Sequence, residues 1–206
     1  MIRLQHISTG YVPGLDILQN IDLCFADQGI YALVDPSGTG KTTLFKLLCG
    51  LIKPTSGQID GLQGKRIVMQ FQEDRLLSWR SVLQNVMLAM ACPQAEDARQ
   101  ILNALCIEDV ETYPASFSGG MKRRVSLARA IACKAEILLL DEPFSGMDEA
   151  LKARIAPYVR QAAPLIIFST HDLAEASLMG AQTLTLRSGS QAAEPLRTKL
   201  DEVIDM

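Results

Sequence analysis

Nine residues, Asp35-Pro36-Ser37-Gly38-Thr39-Gly40-Lys41-Thr42-Thr43, constrain this chain more than any other stretch. The apolar run Ile30–Val34 before them reads as a buried strand, and Leu44, Leu47, Leu48 and Leu51 after them recur at helical spacing. A glycine-rich turn from strand to helix makes an anion site. Backbone N–H groups of Ser37, Gly38, Thr39, Gly40 and Thr43 converge on it, and the helix N-terminus adds its positive dipole end. Lys41 is placed to reach outer phosphate groups, and the Thr42 hydroxyl to ligate a magnesium ion. The pattern G-x-x-x-x-G-K-[ST] is matched except at its first glycine, which is Asp35.

The 206 residues suffice for one sizeable domain, or for a core with a smaller subdomain. With 48% hydrophobic and 21% charged residues the chain is that of a folded globular protein. The net charge of −3 supplies no basic field for nucleic acid. Five scattered cysteines, none at metal or redox spacing, and no signal-peptide pattern predict a reduced, cytoplasmic setting. No apolar run approaches the ~20 residues that span a bilayer, so work at a membrane would need a partner.

In chain order, Ile2, Leu4 and Ile7, then Ile21, Leu23 and Phe25, predict two half-buried antiparallel strands joined by a turn over Gly10–Gly14, with Tyr11 in the turn. Gly50 is a helix C-cap, and short strands follow near Gln58–Ile59 and Arg66–Met69. Residues 73–132 read as a helical insertion between two α/β core segments, 1–72 and 133–206. Ser118 is an N-cap for the helix carrying Val125, Ala128, Ile131 and Ala132. Ile137–Leu140 and Leu165–Phe168 are buried strands, and Thr183–Arg187 alternates as another before a turn at Gly189.

Ligands collect at the carboxyl ends of strands in parallel α/β sheets. Three such ends carry chemistry here: Lys41 and Thr42 after the first, Asp141 and Glu142 after the second, His171 after the third. Asp141 suits a water-mediated magnesium contact, and Glu142 suits general-base activation of a water. His171 suits a hydrogen bond to a departing phosphate, and Gln72 a further metal or water contact. Ser118-Gly119-Gly120 opens a helix and is a second anion site by the same physics. Two separate phosphate sites on one chain predict a head-to-tail dimer that sandwiches the nucleotide. Lys122, Arg123 and Arg124 read as a solvated helix face rather than a nucleic-acid contact.

Taken together, these motifs resemble the ATP-binding subunit of ATP-binding-cassette transporters over nearly the full length. Asp35–Thr43 is similar to the Walker A loop, Gln72 to the Q-loop glutamine, and Ile137–Glu142 to Walker B with its glutamate. Phe117-Ser118-Gly119-Gly120-Met121 resembles the family signature, Ser145-Gly146-Met147-Asp148 the D-loop, His171 the switch histidine, and Tyr11 the aromatic residue that stacks on adenine. The resemblance implies a P-loop NTPase core with an antiparallel β part and an α-helical insertion. It implies an ATPase that uses ATP and Mg2+, dimerises on ATP and drives a separate membrane permease from the cytoplasmic face, with a substrate-binding protein in the full system. The helical insertion and Gln72 are the implied permease contact. Arg75–Arg80 and the signature variant look most like importers of nitrate, sulfonate or taurine type, without a C-terminal regulatory domain. Two alternatives follow from the same residues. A carboxylate at position 35 that faced the phosphates would repel them, which would make the chain a nucleotide-binding regulatory cassette with impaired hydrolysis. A soluble cassette acting on nucleic acid is disfavoured by the acidic balance.

Overall fold

The computed structural model describes residues 1–12 and 14–186. Five parallel strands form the central sheet, in the order β5 (Ile67–Gln70), β6 (Ile137–Asp141), β7 (Leu165–Thr170), β3 (Gly29–Val34) and β8 (Gln182–Leu184). Three more form an antiparallel sheet in the order β2 (Leu15–Phe25), β1 (Ile2–Val12) and β4 (Ser56–Asp60). The central strands are buried on both faces, as parallel strands flanked by other layers must be. Their alternate side chains feed two cores. Leu33, Ile137, Leu139, Leu165 and Ile167 pack with helix α1 (Lys41–Leu48) and the antiparallel sheet. Ala32, Leu138, Leu140, Ile166 and Phe168 pack with the remaining helices.

Those helices are α2 (Val82–Met87), α3 (Ala95–Ala104), α4 (Gly119–Ala132), α5 (Glu149–Val159) and α6 (Leu173–Leu178). Residues between β5 and β6 are helical as expected, and Val82, Val86, Leu102, Leu105, Val125 and Ala128 join the same core as one face of the central sheet. Ser81 and Gln84 form a reciprocal capping box that starts α2. The buried Asn85 amide bonds the Leu77, Arg80 and Ser81 carbonyls at 3.0–3.2 Å and accepts from the Leu77 N–H, which pins the loop carrying the exposed Trp79.

Four local expectations are corrected. The N-terminal alternation is not strict: the β1–β2 register shifts between Leu4 and Ile7, where His6 takes a positive φ of 52°. Tyr11 lies on β1, because the strand runs to Val12 and β2 resumes at Leu15. Leu51 is not part of the α1 stripe. Gly50, at φ 71°, ends the helix, and the Gly50 and Leu51 N–H groups bond the Leu47 and Lys46 carbonyls, which leaves Leu51 exposed. The last strand is Gln182–Leu184 rather than Thr183–Arg187; Arg187 and Gly189 lie outside the described residues.

Candidate active site

The loop between β3 and α1 sits at the carboxyl edge of the central sheet. Gly38 (φ 86°) and Gly40 (φ 98°) hold it open in left-handed backbone. A Cβ on Gly40 would lie 2.6 Å from Leu18 Cδ2, so the Leu18 side chain would have to shift to admit one, in addition to the backbone strain. Lys41 is buried, and its Nζ donates to the Asp35 and Pro36 carbonyls at 2.5 and 2.9 Å. The ammonium is thus held inside the loop it closes.

Asp35 resolves the question posed by its charge. Its Oδ2 accepts the Leu186 N–H at 2.7 Å, on the segment following β8, and its φ is not positive. The side chain is turned out of the cradle and satisfied. A non-glycine residue fits this position without strain, and the carboxylate at the phosphates on which the regulatory reading depends is not there.

A cleft of about 280 Å³ opens over the loop, lined by Ile17, Ser37, Gly38, Gly40, Lys41, Thr42, Thr43, Gln72, Asp141 and Glu142. Eight of these ten belong to the predicted constellation or its loop within sequence positions 37–43 and 141–142, and Gln72 joins them from the end of β5. The Thr42 hydroxyl donates to Asp141 Oδ2 at 2.6 Å, joining residues 99 positions apart. Asp141 Oδ1 accepts from the Ser169 hydroxyl at 2.6 Å, and Ser169 in turn accepts the Glu142 N–H at 2.9 Å. Glu142 adopts a left-handed φ of 50°, a conformation that costs a non-glycine residue on the order of 1–2 kcal/mol.

The donor set fits magnesium. Among the described residues no cluster of three acidic, histidine or cysteine ligands exists that would cage an ion. A threonine hydroxyl and one carboxylate beside a phosphate loop is the arrangement by which magnesium is held, with phosphate oxygens and water completing its shell.

His171, immediately after β7, is exposed and does not line the cleft. Ser118, Gly119 and Gly120 lie outside it as well. Ser118 caps α4 by accepting the Met121 N–H at 3.3 Å. A Cβ on Gly120 would fall 2.6 Å from the Gly146 carbonyl oxygen, so the signature turn packs directly on the D-loop. A Cβ added at Gly119 would meet nothing within 4 Å, which leaves its outer surface open. Tyr11 stands beside α1 with its hydroxyl 3.2 Å from Lys46 Nζ and 3.4 Å from Thr43 Oγ1. Burial opposes ionisation of this phenol, but the bonds to Thr43 and Lys46 outweigh it and lower its pKa.

Arg123 and Arg124 of the basic run on α4 do not form a solvated face. Arg123 Nη1 donates to the Phe71 carbonyl at 3.0 Å, Nη2 donates to the Gln72 carbonyl, and the guanidinium lies 3.3 Å from Asp74. Arg124 bonds the Leu105 and Cys106 carbonyls at the end of α3. Arg129 holds the Arg75 carbonyl at 2.6 Å. Arg123 and Arg129 thus satisfy backbone acceptors of the segment carrying Gln72, and Arg124 those at the end of α3, so their charge is spent internally. Sequence reasoning also missed Ile17 and Ser169. Ile17 is an exposed apolar residue out of phase with buried Leu18, and Ser169 is a polar residue ending an apolar strand.

Fold and site together define a P-loop ATPase with a cassette architecture. The chain belongs to the ABC transporter family, whose description matches residues 18–145. It is 37% identical over 186 residues to the aliphatic sulfonates import ATP-binding protein SsuB of Zymomonas mobilis, covering 85% of this chain and 78% of that protein. An SsuB 1 protein of Paraburkholderia xenovorans is 36% identical over 190 residues, covering 87% of this chain and 55% of the relative. Among solved structures, the cassette MJ0796, as a post-hydrolysis dimer bound to ADP and Pi, superposes with a TM-score of 0.82 at 24% identity, covering 96% of this chain and all of that one.

Proposed function

We propose that this chain is the ATP-hydrolysing subunit of an importer for aliphatic sulfonates, acting as a nucleotide-sandwiching dimer on the cytoplasmic face of a membrane permease, with a substrate-binding protein in the complete system. The observation that carries the reading is the 2.6 Å contact of Thr42 with Asp141 inside a cleft shared by Lys41, Gln72 and Glu142. The substrate class is taken from the relatives' names.

In this reading the loop N–H groups and Lys41 bind the triphosphate of ATP, and magnesium supplies charge neutralisation at its outer phosphates. Thr42 and Gln72, and Asp141 through water, would hold that ion. Glu142 orients and deprotonates the attacking water. His171 reaches the γ-phosphate side when the dimer closes, and Ser118, Gly119 and Gly120 of the partner copy close over it. Tyr11 offers its free ring face to adenine, its other side being occupied by Lys46, 5.1 Å from the ring centroid. The open surface at Gly119 supports a ligand arriving from outside this chain.

Residues 73–132 form the helical subdomain, which presents Trp79, Leu88 and Tyr113 exposed for the permease, and the described parts of 1–72 and 133–206 form the core, with 187–206 lying outside the described residues. Among the described residues no helix is long and apolar enough to cross a membrane, in keeping with a peripheral role. Purified protein should hydrolyse Mg-ATP, and Glu142→Gln should abolish turnover and trap an ATP-bound dimer by size-exclusion chromatography. Undiminished hydrolysis by Glu142→Gln would remove the assignment of the base. Absence of sulfonate uptake in cells carrying the chain with its permease would remove the substrate class.

A further inference from the structure

Ser169 ends an otherwise apolar stretch of β7, is fully buried, and lies in register opposite Asp141 of β6. One hydroxyl there donates and accepts at a single atom. It donates to Asp141 Oδ1 at 2.6 Å and accepts the Glu142 N–H at 2.9 Å. The residue whose N–H it holds sits at φ 50°, off the ordinary backbone basins. Asp141 has its other oxygen bonded to Thr42, so its carboxylate is fixed at both ends.

We propose that Ser169 is a positioning residue for ATP hydrolysis: its hydroxyl locks the Asp141 carboxylate and holds the Glu142 backbone in its left-handed turn, and so sets where the Glu142 carboxylate points in the cleft. Without the hydroxyl the Glu142 N–H loses its acceptor and Asp141 loses a donor. The turn then relaxes toward a commoner φ and swings the carboxylate away. The inference rests on Glu142 and Asp141 acting as proposed above.

The test uses the full chain with Mg-ATP and the variants Ser169→Ala, Ser169→Cys and Ser169→Thr. Alanine removes the hydroxyl, cysteine keeps the volume but bonds weakly, and threonine keeps the hydroxyl. A positioning role predicts kcat lowered roughly 10- to 100-fold in the alanine and cysteine variants, KM for ATP within about threefold of wild type, and recovery in the threonine variant. Hydrogen exchange at the Glu142 amide should quicken about tenfold or more in the first two variants, whether or not the isolated chain turns over. Wild-type exchange at Glu142 in Ser169→Ala overturns the proposal. So does a cysteine variant that behaves as wild type, which would mark a packing role alone. Should Glu142→Gln hydrolyse normally while Ser169→Ala still frees the Glu142 amide, the catalytic reading fails and the anchor stands. If Glu142→Gln is inactive and Ser169→Ala is not, the anchor fails and the reading stands.

Discussion

Asp35 shows how one side chain's direction decides a functional argument. A carboxylate at the entrance of a phosphate loop repels the ligand only if it faces it, and here it is bonded to the Leu186 N–H. Asp35→Gly is therefore expected to leave ATP affinity within about threefold of wild type by calorimetry. It should lower stability by about 1.5–3 kcal/mol, the worth of a hydrogen bond to a charged group, read as a fall in Tm. Gly40→Ala should behave oppositely. Its left-handed φ of 98° strains any side chain, and a methyl group would also displace Leu18, so nucleotide binding should be weakened even if the chain still folds. Both glycines with raised φ were legible from the motif. The direction of the Asp35 side chain was not, because a partner 151 residues away has no local signal.

At the scale of elements, α4 ties three motifs together. Its N-cap Ser118 presents the signature turn, Gly120 rests on the D-loop, and Arg123 grips the carbonyls of Phe71 and Gln72. Ser118→Ala should cost about 1 kcal/mol through the lost cap, measurable by chemical denaturation. Arg123→Met should leave ATP binding intact while amide exchange over residues 71–75 quickens, because the Phe71 and Gln72 carbonyls lose their donors. The helix itself was readable from Ser118 and the spacing of Val125, Ala128 and Ile131. The role of its arginines was not, since a basic helical run looks the same whether it meets water or the backbone of another element.

Across the molecule, buried polar contacts fasten α5, α6 and the end of β7 to one another, elements whose apolar residues share a single core. Lys152 of α5 pairs with Glu175 of α6 at 2.8 Å, and Glu175 accepts from the Thr170 hydroxyl at 2.6 Å, fastening the helix after the D-loop to the segment carrying His171. Burial by itself would lower the Lys152 pKa. The hydrogen bonds and charges of Glu149 and Glu175 outweigh it and hold the pKa well above the usual 10.5. A raised folded-state pKa means the contribution is complete below 10.5 and fades as pH climbs from there through the raised value. Lys152→Met strands Glu175 and should cost on the order of 3 kcal/mol at neutral pH. The Tm gap to wild type should stay constant up to the usual lysine value and narrow above it.

Local sequence alone determined the strand–loop–helix cradle, the order of the motifs along the chain and the buried central strands, because each is written in neighbouring residues: glycine where φ is positive, apolar runs where both faces are covered. Tertiary structure alone decided where Asp35 points, what the α4 arginines hold and that Ser169 anchors Asp141 and Glu142. Those depend on which strand lies beside which, and β6 and β7 are neighbours through a crossover, not through sequence. The phosphate loop was visible in nine residues. The geometry that supports Thr42, Asp141 and Glu142 as a working set required the sheet.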